Sequence, residues 1–578
     1  MKSWEEQLKN VKRALGESDL GGRRSEKPIE VDEPPESWLI DDRSMSNRDG
    51  ESKGRSHSSP IPSKGADRQT GAPHKVAPTA RNPVQQTVTP SSVDSSSDMP
   101  SVPSNKTTTP PVFRPHIDGL RILAMPEWCG AGRSLQHPDR IGGRTAPMVV
   151  RIGVDFGTAF TKVAIRAGVD LVPVDWSAVT GDESPTGRYV MPGFVARAPD
   201  GEYRWQWHAE SNVEGNLKLS AIEMAGSGVC PTATLAYLAL VIRYSRAFLY
   251  RHPEVGRKLV ARSLRWELNI GCPTEPHEKP EVVQLFGRIA RTAWQLTAGD
   301  DLRESDIVAA WKTDAVDSGL ETEPGVVPEF VAQIAGYLGS AQVNEGLHAL
   351  IDIGAATLDV ATFNVVMPTD LDASPRIPIF FSAVRPLGTH YLSYNRHTLL
   401  NLDMKWDDAA PVEPTDGFAK RHGKTQDEVD AADSEFMNEV VKCVTNVINS
   451  TRTNARGVAV PRDRFGQYPK GSAWCEGVPI FVTGGGSGYE LYRRAIEAVQ
   501  VELKQQIGPA SQFRFIELDP LGTMVPHFGI DSGGRFTVAI GLTQDAENIA
   551  RVIPHRDIEA ITLAAKERVD HSEIYGDR

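Results

Sequence analysis

Cysteine is scarce in this chain of 578 residues: Cys129, Cys230, Cys272, Cys443 and Cys475 are odd in number and never spaced as CxxC. That excludes a disulfide scaffold and a thiolate zinc site, and it reads as reduced thiols in a cytoplasmic protein. Long apolar runs are missing too, since a stretch such as Leu235–Ile242 is far too short to cross a bilayer. The opening MKSWEEQLKNVKR carries too much charge for a secretory signal, so no membrane is expected as a partner. An excess of positive charge is also absent. With a net charge of −12, the chain is not built to grip nucleic acid, which is not expected as a direct ligand. The 14 histidines show no HExxH-type spacing that would suggest a metal.

What remains is ordinary for a globular protein: 40% hydrophobic and 24% charged residues, in a chain long enough for more than one domain. Residues 1–16 place Trp4, Leu8, Val11 and Leu15 at helical spacing. The pattern is either incidental or a helix that folds on a partner, because a helix this short is marginal alone. Pro34–Asp41 sets Trp38, Leu39 and Ile40 among acids, in the manner of a short docking motif. Residues 43–112 are Ser, Thr, Pro, Gly and Lys/Arg, with too little apolar surface to offset chain entropy, so disorder is expected there. Residues 113–146 are transitional, and folding is expected to start at Met148.

From that point β-like runs alternate with helical stretches, which marks α/β architecture. Strands are predicted at Val149–Val154, Lys162–Arg166, Glu267–Gly271, Ala349–Ile353, Val360–Val365 and Pro479–Thr483. Helices are predicted at Thr232–Tyr250, Pro280–Thr297, Pro328–Leu338, Asp430–Thr451 and Tyr489–Gln505.

Three glycine-bearing turns follow apolar strands. In Arg151–Ile165 the order is strand, turn, strand, with Asp155, Gly157 and Thr158 at the apex. Gly157 lets backbone approach a phosphate, and Thr158 can donate to its oxygens. Asp155 suits Mg²⁺ held through water. The second turn repeats this logic with Asp352, Gly354, Ala355, Ala356 and Thr357. Two such hairpins can clamp a phosphate chain from opposite sides, with the cation between their acids. The third, Thr483-Gly-Gly-Gly-Ser-Gly488, leads from an apolar strand into a helix, a ready site for a polar ligand. One Asp-x-Gly-Thr hairpin alone is more often plain structure; three such turns in order are not.

These residues carry a resemblance. DFGTAFTKVA, DIGAATLDVA and VTGGGSGYE resemble the phosphate-1, phosphate-2 and adenosine motifs of the actin/hexokinase/heat-shock-chaperone ATPase superfamily. Leu268–Pro273, Val327–Tyr337, Val384–Thr389 and Arg535–Leu542 resemble connecting segments of the ATPase domain of the seventy-kilodalton heat-shock chaperones. The resemblance implies a two-lobed actin-like fold of duplicated ribonuclease H-like domains: arm 1–146, first lobe 147–345, second lobe and return segment 346–578. It implies ATP and Mg²⁺ as cofactors, with Asp155 and Asp352 at the metal and Thr158 on a phosphate. Glu329 would orient the attacking water, although an acid opening a helix is also favoured there by the macrodipole. Gly157, Gly354, Ala355, Ala356 and Thr357 would line the phosphates, Gly485, Gly486 and Ser487 the nucleoside, and Lys442 the adenine.

The chain departs from the family in three respects. Ala355 and Ala356 replace glycines, which is tolerable at negative φ. For the chaperones' catalytic lysine only Arg204 lies near in sequence, and arginine is no substitute for a point charge, so slow hydrolysis is expected. The sequence continues only from Gln544 to Arg578 past the last motif, without the chaperones' peptide-binding region. The Gly417–Thr425 stretch mimics a P-loop but has one residue too many and no preceding strand. Two lobes closing on ATP make a switch. The expected function is therefore a chaperone-like molecular switch acting on partner proteins through its lobes or its arm. The alternatives are an actin-like filament or scaffold ATPase and a small-molecule kinase.

Overall fold

Two sheets of one design dominate the computed structural model, which describes residues 122–558 apart from 142–145, 186, 314–318, 371–372, 404–413, 453–476, 509–510, 519–535 and 546–548. The expectations for residues 1–16, 34–41 and 43–112 lie outside the described residues.

The first sheet is built from β1 (Pro147–Phe156), β2 (Phe160–Ala167) and β3 (Asp170–Pro173), followed by helices α1 (Leu217–Glu223) and α2 (Thr232–Arg251). It is completed by β4 (Ser263–Cys272), a short α3 (Thr274–His277), α4 (Pro280–Leu296) and β5 (Gly325–Pro328). Its order is β3-β2-β1-β4-β5, with β1 antiparallel to β2 and parallel to β4. The chain then runs through α5 (Glu329–Leu338) into β6 (Gly346–Ile353), β7 (Leu358–Val365) and β8 (Arg376–Arg385). After α6 (Thr389–Leu399) and α7 (Gln426–Arg452) come β9 (Val478–Thr483), α8 (Glu490–Ile507), β10 (Phe513–Phe515), α9 (Thr537–Gly541) and β11 (Arg551–Ile553).

The second sheet is ordered β10-β9-β6-β7-β8-β11, with β6 antiparallel to β7 and parallel to β9. Each sheet thus begins with an antiparallel three-strand meander and adds two parallel strands on the far side of its first strand. Parallel neighbours need a crossover, and helices supply it. This repeated order is the two-lobed, duplicated actin-like α/β fold expected from the motifs.

The two sheets are joined by helices that touch backbone to backbone. On its sheet-two side, α5 buries Phe330, Val331 and Ile334 among Leu350, Phe363 and Phe481. On its other side it meets α9, where a Cβ on Gly541 would lie 1.8 Å from the Ala332 carbonyl oxygen. No residue larger than glycine fits there. Sheet one holds the far end of α9: Asn269 Nδ2 donates to the carbonyls of Leu542 and Gln544, each at 2.8 Å, and Arg151 Nη1 to that of Thr543 at 3.2 Å. These donors answer carbonyls that a helix terminus leaves unpaired.

Ordered structure begins earlier than Met148, which corrects the sequence reading. Residues 122–141 form a strap across sheet one and α2. The Leu123 amide donates to the Val179 carbonyl at 2.7 Å, and Trp266 Nε1 to the Leu135 carbonyl at 2.7 Å. The Gln136 side chain pairs with both backbone groups of Leu264, each at 2.9 Å, as a neighbouring strand would. Cys129 is buried, and Gly132 sits so close to α2 that a Cβ would fall 1.9 Å from the Arg243 carbonyl oxygen. A segment held by hydrogen bonds more than by apolar bulk leaves little trace in a hydropathy pattern.

Candidate functional site

Asp155 stands at the end of β1, and its register partner across the hairpin is Lys162, whose Nζ donates to Asp155 Oδ2 at 2.6 Å. The turn between them is tight. A Cβ on Gly157 would meet the Phe160 carbonyl oxygen at 2.2 Å, so the glycine is required by space. Thr158 lies half-buried at the apex.

The second hairpin repeats the register with different chemistry: Asp352 is paired with Asp359. Asp352 accepts from Thr483 Oγ1 at 3.1 Å, at the end of the neighbouring strand β9. Thr274, just past β4 of the other sheet, donates both its amide (3.2 Å) and its hydroxyl (2.9 Å) to Asp359 Oδ2.

The loop between these acids is shaped for an anion. The Gly354 carbonyl accepts from the Thr389 amide (3.1 Å), that of Ala355 from His390 (2.7 Å) and that of Ala356 from Gly388 (3.1 Å). All three carbonyls are therefore tied back to the start of α6. In a trans peptide the N–H points opposite to the C=O, so the amides of Ala355, Ala356 and Thr357 are aimed the other way, side by side. Such a nest of amides binds phosphate oxygens. Ala355 and Ala356 are absent from the positive-φ residues, so neither needs the glycine of the related motif.

Glu329 opens α5, and its carboxylate is bonded to the ammonium of Lys218 on α1. This pair is buried, with side-chain exposures of 14% and 6%. Space for Glu329 comes from Gly271 on β4, where a Cβ would be 2.9 Å from Glu329 Cγ. The buried cation beside Glu329 is thus Lys218 and not Arg204, the cation considered from the sequence. That arginine is 44% exposed and pairs with Glu202 instead. Its chain neighbourhood gives Lys218 no motif; it lies between Leu217 and Leu219 in a seven-residue helix. Asn216 introduces the helix with φ 54°, a left-handed turn that asparagine tolerates better than most residues.

Four carboxyl groups (Asp155, Asp352, Asp359, Glu329) thus face two ammonium groups (Lys162, Lys218), and burial dominates the titration of Glu329, Asp352 and Asp359. Burial raises Glu329, with Lys218 opposing the rise and Asp155 adding to it. Asp352 is raised by burial and held down by Lys162 and the Thr483 hydroxyl. Burial pushes Asp359 up to about 7, against the two Thr274 hydrogen bonds and with help from Asp352 and Glu329. For Lys218, burial favours the neutral amine, but the charge of Glu329 more than offsets it and the ammonium is stabilised. A cation delivered with a phosphate chain would relieve this imbalance. Among the described residues no group of three or more His, Cys, Asp or Glu is arranged to bind a metal directly.

The third turn packs against the second hairpin. Gly484 has φ 85°, and a Cβ there would lie 2.4 Å from Asp352 Oδ1. The Gly486 amide donates to the Ile353 carbonyl at 2.9 Å. Gly485 is open, with nothing within 4 Å of a built Cβ, whereas the Ser487 hydroxyl donates inside the turn to the Gly484 carbonyl at 2.8 Å. Lys442 is on α7, which packs against α8, and its ammonium is turned along its own helix to Glu439 at 2.7 Å. The structure therefore brings Asp155, Asp352, Glu329, the amide nest and Gly484–Gly486 together, and it adds Lys162, Lys218 and Asp359, which sequence reasoning did not single out.

No protein-family model matches the chain, and no curated protein matches it. Among solved structures, MreB5 of Spiroplasma citri bound to AMPPNP is similar at 12% identity, over 69% of this chain and 95% of that one, with a TM-score of 0.34. The ethanolamine utilization protein EutJ from Carboxydothermus hydrogenoformans is similar at 14% identity, over 72% of this chain and 94% of that one, with a TM-score of 0.29. At such values the similarities carry no argument about activity, and the fold rests on the strand order described above.

Proposed function

We propose that the chain is an actin-like ATP-binding switch that hydrolyses ATP slowly and acts on partner proteins in the manner of a chaperone. The observation that carries this reading is the nest of three amides at Ala355, Ala356 and Thr357, fixed by α6 and flanked by the acid–lysine cluster. A phosphate chain would be held by those amides, Thr158 and Lys162, with Mg²⁺ bound through water between Asp155 and Asp352. Glu329 would orient the attacking water, while Lys218 would balance charge as it develops on the phosphoryl oxygens. The nucleoside would rest on Gly485 and Gly486, near α7.

Calorimetry with ATP·Mg²⁺ tests the site. Asp155→Ala and Asp352→Ala should each weaken binding by about 1.5–3 kcal/mol, the size of a charge-assisted contact. Unchanged affinity in both variants would refute the assignment. Electron microscopy with ATP separates the switch from the alternative, since regular filaments would move the reading to a polymerising ATPase.

A further inference from the structure

A short segment at the end of β4 reaches from sheet one onto sheet two and grips two neighbouring strands at once. Thr274 donates its amide and hydroxyl to Asp359 on β7, at 3.2 and 2.9 Å. Glu275 Oε2 accepts from the Val384 amide on β8 at 2.7 Å and from Arg385 Nη1 at 3.0 Å. Glu278 Oε1 accepts from the Ser382 hydroxyl, also on β8, at 3.1 Å. Asp359 and Val384 are register partners across β7 and β8, so Thr274 and Glu275 hold one rung of the second sheet from both sides. On the sheet-one side the segment is fixed by its direct continuation from β4 and by His277 Nε2, which donates to the Val326 carbonyl on β5 at 3.2 Å.

These contacts are unequal. The Glu275–Arg385 ion pair is half-exposed and contributes little. The Val384 amide on the Glu275 carboxylate is a charge-assisted bond of the stronger kind, and the buried Thr274–Asp359 pair is a two-donor contact that gains the same character when Asp359 is ionised. We propose that residues 274–278 form an interlobe latch that keeps the two sheets closed around the nucleotide and sets how fast it leaves. The inference rests on the proposed nucleotide site, because Asp359 is both the anchor of the latch and the register partner of Asp352. A ligand pulling on the second hairpin therefore pulls on the same rung that the latch holds.

Two readouts on the full chain keep the latch and the nucleotide reading apart. The first is amide hydrogen exchange of the ligand-free protein over residues 271–278 and 380–387. The double variant Thr274→Ala/Glu275→Ala should speed exchange of the Val384 amide at least about tenfold, the factor expected when one charge-assisted hydrogen bond is lost. The second is release of ATP·Mg²⁺, which should accelerate by at least about the same factor, and in Glu275→Ala alone it should do so with the unfolding midpoint close to that of the wild type, because that side chain is half-exposed. Unchanged exchange at Val384 would overturn the latch, as would faster exchange with unchanged release. Should the wild type bind no ATP, the nucleotide reading fails and the exchange result still decides whether the latch exists. If the double variant does not fold, Glu275→Ala alone serves, since this half-exposed side chain can be removed without opening the core.

Discussion

The Lys218–Glu329 pair is the most exposing test of the site. Its side-chain exposures of 6% and 14% place it among buried pairs, where removing one partner typically costs about 3–5 kcal/mol. Lys218→Met keeps much of the apolar stem and deletes the charge, which leaves Glu329 buried beside Asp155 and Asp352. The loss has a ceiling, because Glu329 can take up a proton. From an ordinary glutamate value, protonation at pH 7 costs about 4 kcal/mol, and burial has already moved Glu329 in that direction. The expected loss at pH 7 is therefore about 3–4 kcal/mol.

The pH dependence has a definite sign. A carboxyl whose folded pKa is raised stabilises at low pH and loses that contribution as pH rises, so the penalty in Lys218→Met should shrink toward pH 5. Urea unfolding followed by tryptophan fluorescence measures this, since Trp176, Trp205, Trp266 and Trp294 are all fully buried. Lys218→Met/Glu329→Gln should recover most of the loss, because no charge is then stranded. Lys442→Met, which removes a half-exposed pair, should cost no more than about 1 kcal/mol. If Lys218→Met costs no more than Lys442→Met at pH 7, or costs as much at pH 5 as at pH 7, the buried-pair reasoning is refuted.

Further outcomes follow from the same geometry. Glu329→Gln should keep ATP affinity and slow turnover by about 10²–10⁴-fold, and a measurable wild-type rate left untouched would remove Glu329 from the water-orienting role. Buried His348 is stacked between Phe363 and Phe481, and burial lowers its pKa to about 4; its contribution to stability should be present above pH 6.5 and fade as pH falls toward 4. The drop amounts to about 3 kcal/mol, and urea midpoints of His348→Phe should lack that component. A chain begun at Met148 lacks the strap and uncovers Trp128's partners on α2, so it should melt lower or aggregate, whereas one begun near residue 115 should match the full chain in thermal unfolding.

The strands and helices named from periodicity all form, because each is an apolar run or stripe that one sheet face must bury. Periodicity reported less where hydrogen bonds rather than apolar area decide. The strap 122–141 is held by Gln136, Trp266 and main-chain donors; β8 and α6 follow the second hairpin without a strong pattern of their own. At the site, Gly157 was legible because its turn leaves no room for a side chain, and Asp155 and Asp352 because each ends an apolar strand at a tight turn. The lysines were not. Lys162 reads as an outward residue of a strand, and Lys218 enters from a helix whose position depends on the whole of sheet one.

The paired registers of the two hairpins leave the two sides of the site chemically unlike. The backbone register repeats, so Asp155 faces Lys162 as Asp352 faces Asp359, but the two cross-strand partners are of opposite charge type. The first jaw therefore holds an acid–lysine pair, and the second holds two carboxyl groups that burial moves toward the protonated form. Under the proposed function the two jaws would hold a polyphosphate by different means, the first through Lys162 and Thr158 and the second through the amides of Ala355, Ala356 and Thr357.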